Sequence, residues 1–60
     1  MWIKVTKVEA LYEESPVYIR SDLVTMFGTE KGVNFVVVGT VYVLIVESPA
    51  EVLAQLKAGN

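Results

Sequence analysis

Apolar and polar residues alternate along this chain with three different rhythms. From Val33 to Val46 nearly every position is apolar, and most are β-branched: Val33, Val36, Val37, Val38, Val41, Val43, Ile45 and Val46, with Phe35 and Tyr42 between them. Such runs form strands. Gly39-Thr40 interrupts this one, and a two-residue loop with glycine first is the signature of a type II′ hairpin turn, because glycine takes a positive φ without steric cost. The run therefore predicts a β-hairpin. Phe35 and Val37 point to one face of its first strand and Val36 and Val38 to the other, while on the return strand Val41, Val43 and Ile45 oppose Tyr42, Leu44 and Val46.

Ahead of the hairpin the rhythm has period two. Trp2 to Glu9 places Ile3 and Val5 on one face and Lys4 and Thr6 on the other, which predicts a first strand, with Val8 breaking the alternation. Ala10 to Pro16 reads as a polar connection, and Pro16 opens a short second strand at Val17-Tyr18-Ile19. After a local turn at Ser21-Asp22, Leu23 to Phe27 reads as a third strand, with a short helical turn at its start as the alternative. Gly28 to Gly32 reads as a connecting turn with a glycine at each end.

The third rhythm is helical and follows Glu47. Ser48 is placed to accept from the backbone N–H of Glu51, Pro49 stands at the first helical position where its missing N–H costs nothing, and Glu51 is placed to reach back and close a capping box. Val52, Leu53 and Leu56 supply an apolar stripe, Lys57 complements the C-terminal dipole, and Gly59 is the expected C-cap about ten residues on. The expected fold class is α+β: a small, mostly antiparallel meander of four to five strands followed by one C-terminal helix, forming a single domain over residues 1 to 60.

The two apolar faces of the hairpin bear on assembly. An antiparallel sheet with one wet face alternates apolar and polar residues, and one short helix covers only one face. A 60-residue chain without cysteine also has a thin core and no disulfide to reinforce it. A homo-oligomer is therefore expected, with two-fold dimerisation the favoured form and Val36, Val38, Tyr42 and Leu44 as the interface.

Three blocks of the chain resemble the FlbD or SwrD group of small flagella-associated proteins, along with short uncharacterised bacterial, phage or plasmid proteins of the same pattern. They are Ile3-Lys4-Val5-Thr6, then Val17-Tyr18-Ile19-Arg20-Ser21-Asp22-Leu23-Val24, and finally Tyr42-Val43 continuing through Val46-Glu47-Ser48-Pro49-Ala50-Glu51-Val52. The last is similar to the group's closing Val-x-Glu-Ser-x-Glu-Glu-Val. Arg20 stands where the group usually has Asn, and the Glu13 to Pro16 segment is longer than the group's short turn. The resemblance implies a fold and a non-enzymatic accessory role, and it transfers no catalytic residue.

Composition narrows the chemistry further. Neither His nor Cys is present, which removes the usual zinc and thiolate ligands, so no metal or cofactor is expected. Glu13 and Glu14 are adjacent in a polar connection and read as solvated charges, the glycines match no phosphate-binding fingerprint, and no acid–base pair stands out. No enzyme is expected. Five basic against seven acidic residues give a net charge of −2, the wrong sign for bulk attraction to nucleic acid. The alternative function is nonetheless a small nucleic-acid-binding regulator, in which exposed aromatics stack on bases and cations meet phosphates. Trp2, Lys4, Lys7, Tyr18, Arg20 and Lys31 are its candidate contacts, and the same residues could instead meet a protein partner. The apolar run Phe35 to Val46 is too short for a membrane-spanning helix, and Met1 to Lys4 does not begin a secretory signal, so a cytoplasmic address is expected.

Overall fold

The computed structural model of the protein describes residues 1 to 58. Strands β1 (Trp2–Val8), β2 (Glu14–Arg20), β3 (Val24–Glu30), β4 (Val33–Val38) and β5 (Val41–Ile45) precede the helix α1 (Pro49–Ala58). They form an antiparallel sheet in the order β2-β1-β5-β4-β3, so the chain has the expected α+β class. Gly39 has φ 62 and sits between the paired residues Val38 and Val41, as the hairpin turn requires.

Two strands are longer than their sequence signals. β2 begins at Glu14, with Ser15 opposite Lys7 and Pro16 opposite Thr6, which shortens the connection to residues 9 to 13. Proline is accommodated because β2 is an edge strand, where its missing N–H breaks no ladder bond. β3 likewise runs on through Gly28 to Glu30, and its turn to β4 is only Lys31-Gly32, both with positive φ (52 and 78) as in a type I′ hairpin. Gly28 is therefore a strand residue. It lies opposite Phe35, whose ring is 3.6 Å from where a Cβ would stand. The helical alternative applies to Leu23, which closes a 3-10 turn at Ser21–Leu23 before β3 starts.

That short connection also curves the sheet. β2 and β3 end the hydrogen-bonded order, four strand intervals apart, or about 19 Å in a flat sheet. The four residue steps from Arg20 to Val24 span at most about 14 Å. The sheet must curl until its two ends approach. Its concave side holds the core of Ile3, Val5, Ile19, Val36, Ile45 and Val52, with Val17, Val24, Phe27, Val38, Val43 and Leu56 packed around it. A bulge at Thr25 lets both Val24 and Phe27 face this core, three residues apart, where a regular strand would turn them to opposite sides.

α1 packs against β1 and β3 and inserts Val52 into the core. Ser48 caps it, accepting from the Glu51 backbone N–H at 3.2 Å. The Glu51 carboxylate takes a hydrogen bond from the Ser48 hydroxyl at 3.4 Å, in place of the expected reach to the backbone. Leu53 leaves the predicted stripe and is exposed, because Val52 and Leu56 already fill the core-facing side. The expected C-cap, Gly59, lies outside the described residues.

Candidate interaction surfaces

The convex side of β3, β4 and β5 is built from cross-strand rows. Met26 pairs with Val37 and Val37 with Tyr42, Gly28 pairs with Phe35 and Phe35 with Leu44, and Glu30 pairs with Val33. Alternation along each strand sends all of these away from the core. Phe35 is only 7% exposed because it is covered within its own face: Gly28 leaves room on one side, and on the other the Tyr42 ring stacks on it at 4.8 Å between centroids. Around it Met26, Val33, Tyr42, Leu44 and Val46 remain exposed. Glu30 is the one charged residue in these rows, and the Tyr42 hydroxyl pKa is raised, first by desolvation and then by the Glu30 charge.

This arrangement corrects the expected interface. Val36 pairs with Val43 and Val38 with Val41, so Val36 and Val38 turn inward, and Val36 is fully buried. Tyr42 and Leu44 face outward with Val37 and Phe35. The four expected residues therefore do not share a face. The signal was present in the two-residue turn, since flanking it with Val38 and Val41 puts even-numbered positions of β4 on the same side as odd-numbered positions of β5. Met26 was missed because the β3 register depends on the bulge at Thr25.

A second surface lies on the convex side of β1 and β2. Trp2 stands opposite Arg20 and Lys4 opposite Tyr18, so two aromatic and two cationic side chains alternate in a two-by-two pattern, all exposed. Four of the six predicted contact residues are thus brought together. Arg20 is held by Asp22 at 2.9 Å. Lys7 belongs to the opposite side of β1, opposite Ser15, and pairs with Glu9 at 3.3 Å, while Lys31 is in the β3–β4 turn. At the tip of the β1–β2 hairpin, Leu11 and Tyr12 are 88% and 89% exposed in left-handed backbone conformations (φ 66 and 60).

Two side chains outside the predicted site residues hold the frame of these surfaces. Beyond the short β1–β5 pairing at Lys7 and Ile45, β1 needs other partners for its backbone. The Lys4 N–H donates to Gln55 Oε1 at 2.8 Å, and Gln55 Nε2 donates to the Lys4 carbonyl at 2.7 Å. Glu47 accepts from the Thr6 N–H at 2.7 Å and from its hydroxyl at 2.8 Å. Burial acts to raise the Glu47 pKa, but the hydrogen bonds from the Thr6 and Glu47 backbone N–H groups and the Thr6 hydroxyl, with the Lys4 charge, bring it below its usual value.

Among the described residues no three His, Cys, Asp or Glu side chains gather as a metal site, and no helix is long and apolar enough to cross a membrane. No family model, curated protein or solved structure matches the chain.

Proposed function

We propose that this is a non-enzymatic accessory protein that acts through protein–protein contacts and assembles with copies of itself through the convex side of β3–β5. The observation that carries this reading is the exposed set Met26, Val33, Tyr42, Leu44 and Val46 around Phe35. Together these side chains expose on the order of 450 Å², within the ~300–600 Å² of the largest apolar patch on a soluble monomer, which is often functional, and over half of the ~800 Å² that each partner contributes to a standard interface. A two-fold contact brings the patch onto itself and needs no second complementary surface. An accessory role of this kind is also what the FlbD-like resemblance implies.

The alternative, binding of single-stranded nucleic acid, draws support from the Trp2, Lys4, Tyr18 and Arg20 array, which offers rings for stacking and cations for phosphates. Against it stand the net charge and the Asp22 partner of Arg20. Sedimentation velocity over a hundredfold concentration range tests the first reading. The wild type should sediment as a dimer, Leu44→Lys as a folded monomer, and Val36→Lys should lose its fold because it places a charge in the core. A wild type that remains a folded monomer throughout overturns self-association. Salt-sensitive retention on a single-stranded oligonucleotide, lost in Trp2→Ala, would favour the alternative.

A further inference from the structure

The concave side of the sheet is not wholly filled. Between β2 and the turn end of the β4–β5 hairpin it opens into a groove of about 390 Å³ whose apolar walls include Ile19, Val38, Val41 and Val43. No residue of α1 lines it; Lys7 is the cation on its concave side, while Trp2, Tyr18 and Arg20, whose side chains turn to the convex side, border it along the rim of β1 and β2. None of the described lining residues is acidic, although the chain carries seven acids. The carboxylate that pairs with Lys7, Glu9, lies outside the lining, and such an exposed pair is weak enough to be shared or displaced.

One wall of the groove is β2, an edge strand with a free ladder. The Ser21 N–H bonds the Met1 carbonyl at 2.8 Å, which identifies the odd-numbered residues of β2 as those facing β1. The even-numbered residues turn their backbone groups outward. Among the described residues, that leaves the N–H groups of Tyr18 and Arg20 and the carbonyls of Pro16 and Tyr18 open for pairing, and Tyr18 and Arg20 also border the groove.

We infer that β2 and this groove form a docking site for an extended peptide segment of a partner protein. The segment adds as a further strand beside β2, places alternate apolar side chains between Ile19 and Val41, and carries an acidic residue toward Lys7. Unpaired backbone groups beside an apolar trough are the two elements of recognition by strand addition: the ladder supplies affinity and the trough selects alternate side chains. The missing N–H of Pro16 limits the ladder at one end and so sets the register of the added strand. This site is on the opposite side of β4–β5 from the proposed self-association face, so the two stand or fall separately.

Selection from a phage-displayed library of random heptapeptides tests the inference, with wild-type protein as bait and Val41→Lys as the counter-selection. Val41 is more than half exposed, so the variant should fold, and its melting curve checks this. Enriched peptides should alternate apolar and polar residues and include Asp or Glu. A synthetic copy of one should change the fluorescence of Trp2, the one tryptophan and part of the groove lining, and should bind at least tenfold more weakly when alternate backbone amides are N-methylated. Tyr18→Pro, which removes one free edge N–H, should weaken binding similarly. Peptides without alternation, identical enrichment on Val41→Lys, indifference to N-methylation, or capture of palmitate in place of any peptide would each overturn the inference.

Discussion

Removing the Gln55 side chain should detach α1 from β1 at one defined place. Its amide supplies both the acceptor for the Lys4 N–H and the donor for the Lys4 carbonyl, at 2.8 and 2.7 Å, in a stretch where β1 has already left β5. Two hydrogen bonds of this type contribute about 0.5–1.5 kcal/mol each, and because water reaches the freed groups the lower half of that range applies. Alanine returns a few tenths of a kcal/mol in helix propensity. The expected net loss for Gln55→Ala is therefore about 0.5–1.5 kcal/mol, read as a lower urea midpoint with an unchanged slope, and accompanied by faster hydrogen exchange at the Lys4 amide. Gln55→Glu sharpens the test. Its carboxylate accepts from Lys4 N–H but cannot donate to the carbonyl, so the folded state favours the protonated acid and raises its pKa above the unfolded value of about 4.3. The deficit relative to wild type should be full at neutral pH, should shrink as pH falls through the raised folded pKa, and should change no further below the unfolded one. Gln55→Ala with wild-type stability and an equally protected Lys4 amide would refute the view that this amide stands in for a missing strand partner.

Ser48→Ala should cost about 1 kcal/mol in chemical denaturation, since the hydroxyl is the side-chain acceptor for the Glu51 N–H at the start of α1. Glu47 makes wild-type stability depend on pH. Its folded pKa is lowered from 4.5, so its contribution is present above that value and is lost as pH falls through the lower folded one. Glu47→Gln should flatten this acid limb of a stability-against-pH curve, and an unchanged limb would place the dependence on other carboxylates.

Local chemistry determined much of this protein. Gly39 fixed the central hairpin because a positive φ is cheap only for glycine, and Ser48 with Pro49 fixed the start of α1 because their side chains answer the unpaired N–H groups of a helix end. The alternation of Ile3 and Val5 with Lys4 and Thr6 identified the buried side of β1. Strand limits were less legible where tertiary pairing overrode local preference: Ser15 and Pro16 are poor strand residues held in β2 by β1, and Gly28 is a turn residue held in β3 beneath Phe35. The two apolar faces of the hairpin were visible in the sequence, but their partners were not. Turn length paired Val36 with Val43, and a bulge at Thr25 brought Met26 onto the convex rows. Curvature created the groove, because a three-residue connection draws together strands that end a five-stranded order. Propensity and capping act over a few neighbouring residues and can be read along the chain. Register, curvature and the burial of one face over another arise from contacts between distant segments, and these decided which of the chain's many valines became core and which residues were left as surface for a partner.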